Sequence, residues 1–253
     1  MTNVIIAFVS IVNGVLGSEP GRTQWKPTRL ATASGAVLAA ALIRRRYLRW
    51  GATDVEGVLG LPGDEFLPVA DVVVTRAIPI QAAAEDIWPW IAQLGQARGG
   101  FYSYDVLENL VRCDIHSADR VHSDWQDVAV GHEINLAPQV PLSVATVEPG
   151  RALVLRGSIP MGPIPTPYDF TWAFVIRSAP DGTSRLVVRE RYWYTRRWAG
   201  LIVQPAELVS CVMSVRMLRG IKKRAEQTVP APSISVGPQS NELVEHEMRE
   251  AVR

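Results

Sequence analysis

LIVQPAELVSCVMSVRMLRGIKKRAE, residues 201–226, carries Leu208, Val209, Val212, Met213, Val215, Met217 and Leu218 at three- and four-residue steps. That is the spacing of an amphipathic helix. Lys222, Lys223 and Arg224 load its last turn, where cations complement the helix dipole. One long helix with a broad apolar surface is expected. Upstream, from Gly131 to Thr195, strand-like segments follow one another with tight-turn residues between them. A curved antiparallel sheet thus has one late helix to cover it, and the fold class is α+β.

The segments can be read one by one. DVVVTRAIPI, residues 71–80, is β-branched and alternating, and Pro79 confines it to a sheet edge or a strand end. Two short helices follow. The first runs over Ala82 to Leu94, with Glu85 and Asp86 near its start, and the second lies in FYSYDVLENLV, where Tyr104, Leu107, Leu110 and Val111 share a face. From His132 come HEINLAP, LSVATVE, ALVLRGS, YDFTWAFVIRS and SRLVVRERYWYT, with turns at Pro149-Gly150 and Pro180-Asp181-Gly182.

The ends differ from this middle. Met1 to Gly17 and Leu30 to Ile43 are uncharged runs, the second closed by Arg44, Arg45 and Arg46. Both fall short of the roughly 20 apolar residues of a comfortable span. The choice is between membrane attachment and two packed helices; flanking arginines and aromatics favour attachment. A cleaved signal peptide is not expected, since the leading MTN has no positive charge. Arg44, Arg45, Arg46 and Arg49 place the remainder on the cytoplasmic side. The expected organisation is apolar anchor helices over 1–50, a Gly- and Asp-containing linker over 51–68, the main domain over 69–228 and a flexible tail over 229–253. A net charge of +1 without a basic stripe excludes an electrostatic footprint for nucleic acid. Cys113 and Cys211 are the two cysteines and lack CxxC spacing, so no disulfide framework or zinc ribbon is indicated.

Strand, two small helices, strand run and final helix, together with RAIPIQAAAEDIWPWIAQLG, GFYSYDVLENL, SADRVHSDWQDVAVG and RMLRGIKKRAE, resemble the START-related SRPBCC superfamily of helix-grip proteins. This is the polyketide cyclase/dehydrase and lipid transport type, and the likeness is to a membrane-anchored actinobacterial branch of it. The likeness runs from Thr75 to Glu226. It implies a deep, mostly apolar cavity between the concave sheet and the final helix, suited to sterol, lipid, polyketide or plant-hormone ligands. One fold hosts many functions, so the chemistry has to come from the site.

Within that frame the period of two assigns the walls. Phe170, Trp172, Phe174 and Ile176 share one apolar face and should point inward. On the next strand Leu186, Val188, Glu190, Tyr192 and Tyr194 share the less charged face. Glu190 therefore stands in an apolar or aromatic wall, where a carboxylate needs a partner or a proton. Arg216, near the middle of the helix's apolar arc, is the leading partner, and Arg120 the second. The pair would fix helix against sheet, sit in water at the cavity mouth, or recognise ligand. Tyr102, Tyr104 and Asp105 either line the entrance or belong to the core. Ligand-binding candidates are thus Tyr104, Phe170, Trp172, Phe174, Glu190, Tyr192 and Arg216.

Cys113, Asp114, His116, Asp119, His122 and Asp124 form a dense patch of ligand-type residues, but their spacing fits no metal motif and reads as a solvated loop. Ser117, Asp119 and Arg120 suit capping of a turn. No catalytic set, cofactor or metal site is assigned. Three functions remain open at this point. The first is a carrier or sensor of a hydrophobic small molecule near a membrane. The second is a cyclase or dehydratase using Glu190 with Arg216 or a tyrosine. The third is a membrane-tethered assembly module with a collapsed cavity.

Overall fold

The computed structural model describes residues 27–110, 113–138, 140–158 and 166–228. The first uncharged run, Met1–Gly17, and the charged tail, 229–253, lie outside the described residues. The second run falls in helix α1, Pro27–Leu48. A short helix α2, Asp54–Val58, follows, with Thr53 and Glu56 closing a reciprocal capping box at its start.

The sheet has six antiparallel strands: β1 Val72–Ile80, β2 Glu133–Ala137, β3 Val140–Glu148, β4 Ala152–Gly157, β5 Tyr168–Ser178 and β6 Ser184–Tyr194. Their spatial order is β1-β6-β5-β4-β3-β2. From β2 to β6 each strand pairs antiparallel with the next in sequence, and short turns join β3 to β4 and β5 to β6. β1 alone crosses over, and it becomes an edge, which is where Pro79 is tolerated. Between β1 and β2 lie α3, Ala84–Ala92, and α4, Asp105–Leu110. Helix α5, Gly200–Thr228, then runs across the concave face, touching α3 and β1. This is an α+β helix-grip fold.

Two layers of packing flank the sheet. Inside, Ile78, Ile80, Leu153, Leu155, Phe174 and Leu186 meet Met217, Leu218, Ile221 and Ala225 of α5. The approach is closest at Gly220, where a Cβ would stand 2.4 Å from the Tyr102 carbonyl oxygen. Tyr102 itself holds a left-handed backbone, φ 55°. Outside, Leu61, Ala77, Ala152, Val175 and Val187 form a second, smaller cluster.

That outer cluster corrects the expectation of a linker over 51–68. Glu56, Leu61 and Leu67 in this segment are buried, and its acids answer arginines on the outward face of β6. Arg185 forms an ion pair with Glu56, and Arg189 reaches Asp64 at 2.6 Å. Burial by itself raises the Glu56 carboxyl. The hydrogen bonds from Arg185 and the Thr53 N–H, with the Arg185 charge, overcome it and hold the group down at about 2. A composition typical of linkers here serves as a charged clasp.

The face that α5 buries also differs from the expected one. Leu208, Val209 and Val212 are exposed, while Val203, Glu207, Cys211, Ser214 and Leu218 are buried. The inward arc contains small and polar side chains, because a cavity and an ion pair lie beneath it.

Candidate functional site

A cavity of about 380 Å³ lies between α5 and the sheet. Its floor is aromatic: Tyr168, Phe170 and Trp172 of β5, and Tyr192 beside Glu190 on β6. Phe170 and Tyr192 rings stand 4.9 Å apart, and Phe101 approaches Trp172 at 5.8 Å from the side. The roof is α5, where Ala206, Ser210 and Ser214 recur at four-residue steps. Residues so spaced stack along one line of a helix, and three small side chains in that line leave volume beneath it. Ser103, Cys113 and Ile115 close one side, Leu136, Ala137 and Val140 the far end.

One buried ionic group interrupts the apolar wall. Glu190 is 4% exposed and Arg76 is 0% exposed. Their strands are neighbours, with Val74 opposite Glu190 and Arg76 opposite Val188, so the two side chains share the inner face one step apart. Arg76 Nη1 donates to Glu190 Oε1 at 2.7 Å. Ser214 Oγ donates to the same oxygen at 3.2 Å, and Ser210 Oγ donates to Oε2 at 3.0 Å. The Tyr192 hydroxyl completes the shell, donating to Oε2 at 3.0 Å. Burial pushes the Tyr192 hydroxyl well above its ordinary range, and the Glu190 charge and hydrogen bond push it further. Tyr192 is therefore a fixed proton donor. Burial alone moves Tyr168 up to about 12.

The candidates from the sequence separate into three groups. Phe170, Trp172, Glu190 and Tyr192 lie on the cavity wall. Phe174 is fully buried and stacks on Trp172 at 4.8 Å, but lies in the core beyond the cavity. Tyr104 and Arg216 are outside it: Tyr104 is exposed, with the Arg216 guanidinium 5.6 Å from its ring centroid. Arg216 is thus not the partner of Glu190, and neither is the exposed Arg120. Position 216 falls on the outer side of α5 once Ser214, Met217 and Leu218 turn inward.

Arg76, Ser210 and Ser214 were missed. The signal was present in β1, where Val74, Arg76 and Ile78 share one face, so a charge points into the core by the same alternation that placed Glu190. In the polar loop, Asp105 at the start of α4 accepts both the Ser117 N–H at 2.8 Å and its hydroxyl at 2.6 Å. Ser117 is held there as a donor in place of a cap. Among the described residues, no three His, Cys, Asp or Glu side chains come together to hold a metal ion.

No family model matches the chain, and no curated protein matches it. Solved structures that it is similar to include protein MLL2253 from Mesorhizobium loti, at 16% identity over 63% of this chain and 100% of that one, TM-score 0.40. Protein Ms6760 from Mycobacterium smegmatis aligns at 12% identity over 62% of this chain and 92% of that one, TM-score 0.40. Truncated norcoclaurine synthase from Thalictrum flavum aligns at 14% identity over 60% of this chain and 91% of that one, TM-score 0.38. The helix-grip assignment stands on this chain's own strand order and helix placement.

Proposed function

We propose that the chain binds a hydrophobic small molecule, lipid or polyketide-like, in the cavity under α5, close to a membrane, as a member of the START-related SRPBCC superfamily. The observation that carries this reading is the cavity itself. About 380 Å³ falls within the range of small-molecule sites, which combine apolar walls with a few fixed polar groups. A core selected only for stability would be filled, since interiors are close-packed. An assembly module with a collapsed cavity fits this space poorly.

Nearness to a membrane has separate support. Leu38, Leu42 and Ile43 of α1 and Leu201, Leu208, Val209 and Val212 of α5 are exposed. The two helices are tied by Arg44, which grips Glu207 through 2.7 and 3.1 Å hydrogen bonds. On α1 these apolar residues end at Arg44, Arg45 and Arg46 near the helix C-terminus, as a cytoplasmic boundary would. Among the described residues one helix, Arg197–Gln227, is long and apolar enough to cross a membrane. It is also the gripping helix. In this reading it stays with the domain, and attachment falls to the first fifty residues.

A cyclase or dehydratase is the second reading, favoured by the Tyr192–Glu190 couple on the cavity wall. It ranks second because Glu190 is already occupied by Arg76 and three hydroxyls, which leaves it little capacity as a base.

Native mass spectrometry of the gently purified full chain tests the binding reading: a co-purifying apolar molecule is expected, and a ligand-free protein that takes up no hydrophobic probe would sink it. For enzyme chemistry, Glu190→Gln would keep that complex and lose its turnover. For attachment, the full chain should pellet with membranes and resist a salt wash. Full solubility without detergent would make the two apolar runs packed helices.

A further inference from the structure

A second cleft, of about 490 Å³, lies at the C-terminal end of α1, away from the cavity under α5. Arg45, Arg46 and Arg49 line it together with Leu42, Trp50 and Asp54. Leu38, Leu42, Arg45, Arg46 and Arg49 follow one another at three- and four-residue steps, so they stand in one stripe along the helix. The stripe is apolar first and cationic after. Gly51, in the turn that closes the cleft, holds φ 69°, and a Cβ there would stand 2.1 Å from the Ala77 carbonyl oxygen. The turn is thereby pressed against β1, which fixes where the arginine-bearing end of α1 stops.

Three guanidinium groups share this cleft with a single carboxylate. Asp54 takes Arg45 at 2.9 Å and Arg49 at 3.3 Å through the same oxygen, Oδ1, and Arg46 makes no ion pair among the described residues. Two positive charges are left in excess. Arg219 of α5 adds a further cation beside the cleft, its guanidinium 5.4 Å from the Trp50 ring centroid. Arg45 and Asp54 are exposed, and ion pairs of that kind add little to stability. What the cluster does offer is several guanidinium forks, which match the oxygens of a phosphate. Exposed Leu42 is in the cleft wall, with exposed Leu38 one turn before it. A free phosphate has no use for that apolar side, whereas an acyl chain does.

We propose that this cleft holds the phosphate of an anionic phospholipid, with Arg45, Arg46 and Arg49 on the head group and Leu42 and Leu38 along the chains; the step rests on the membrane reading above. Native mass spectrometry of the full chain released from dodecyl maltoside micelles measures it, titrating dioctanoyl phosphatidylglycerol against dioctanoyl phosphatidylcholine. The chains are equal, so the head group alone differs. Each arginine near a lipid surface is worth about five-fold in affinity, and the two excess charges should favour phosphatidylglycerol by about 25-fold. Arg46→Gln should take about five-fold from that preference. Arg45→Gln combined with Arg46→Gln neutralises the cleft and should bring phosphatidylglycerol to the level of phosphatidylcholine, while uptake of a neutral hydrophobic probe under α5 is unchanged.

Equal binding of the two lipids by the unaltered protein would overturn the proposal, as would a preference that survives the double variant. Glycerol 3-phosphate that displaces phosphatidylglycerol at equal concentration would make this a site for free phosphates and overturn the lipid assignment. The comparison on the unaltered protein stands even if the variants fail to fold. Pelleting with membranes is read on the same chain: pelleting without a lipid preference removes the cleft alone, and failure to pellet removes the attachment reading and this step with it.

Discussion

Removing the charge of Arg76 while leaving Glu190 in place isolates the energetics of the buried group. Arg76→Met keeps the length and the apolar character of the side chain's stem. It leaves a carboxylate that is 4% exposed with only the hydroxyls of Ser210, Ser214 and Tyr192 to face it. Breaking a buried pair from one side costs about 3–5 kcal/mol. In a domain of this size each kcal/mol moves the melting temperature by roughly 2–4 °C, so a fall of about 6–20 °C is expected by calorimetry or near-ultraviolet circular dichroism. Arg76→Met combined with Glu190→Gln removes both charges and should recover most of the loss, because the isolated charge is the damage. The pair would be solvent-accessible, and the dry wall a wrong description, if Arg76→Met cost under about 1 kcal/mol, the range of surface ion pairs. A double variant no better than the single one would refute the assignment of the cost to the orphaned carboxylate.

Three other outcomes follow from the geometry. Glu56 is held at about 2 in the folded chain against 4.5 unfolded, so its contribution is complete above about 4.5 and is lost as pH falls toward 2. That shift corresponds to at most about 3 kcal/mol, less for the partial exposure of Arg185. Urea unfolding across this window should be flatter for Glu56→Gln, and an unchanged slope would discount the clasp. Phe174→Ala should cost about 3–5 kcal/mol of stability, whereas Trp172→Ala should cost less, because part of its surroundings is open cavity, and should reduce uptake of a neutral hydrophobic dye; equal losses for both would indicate a filled core. Ala206→Leu should plug the cavity, lowering dye uptake while holding or raising the melting temperature by cavity filling. A loss of about 1–3 kcal/mol would mean that no space exists under that turn.

The sheet was legible because its information is local. Alternation over YDFTWAFVIRS and SRLVVRERYWYT fixes which side chains share a face, and the turns between strands fix the hairpins. The observed strands, Tyr168–Ser178 and Ser184–Tyr194, follow those boundaries closely. The site was legible in part for the same reason: Trp172 and Tyr192 share the inner face by the count of two. What failed was non-local. The pairing of Arg76 with Glu190 spans 114 positions, and it needs the register of β1 on β6, which no hydrophobic count supplies. Glu56 and Asp64 meet their β6 arginines more than 120 positions away, so only their solvating composition was visible in the sequence. On α5, hydropathy pointed to Leu208, Val209 and Val212, whereas the inner face of its N-terminal half is built from Ala206, Ser210 and Ser214. A cavity inverts the usual inference from apolar spacing to burial.

Strand β6 gathers these observations into one arrangement. Its outward arginines, 185 and 189, are neutralised by Glu56 and Asp64 in the outer layer, and its inward Glu190 by Arg76 on the adjacent edge strand. The strand is thus paired with opposite charges on both faces, and the first half of α5 adds to the inner pair through Ser210 and Ser214, which donate to Glu190. The C-terminal half of that helix is anchored differently. Met217, Leu218, Ile221 and Ala225 are at most 2% exposed, and Gly220 lies against the Tyr102 backbone. The N-terminal half has open volume beneath it and carries Pro205, which cannot donate a helical hydrogen bond. Local opening is cheapest where buried apolar contacts are fewest. The two halves of one helix therefore divide the work: Met217 to Ala225 pack the apolar core, and Leu201 to Ser214 roof the cavity, held there by polar contacts from Ser210 and Ser214 to Glu190 and from Arg44 to Glu207.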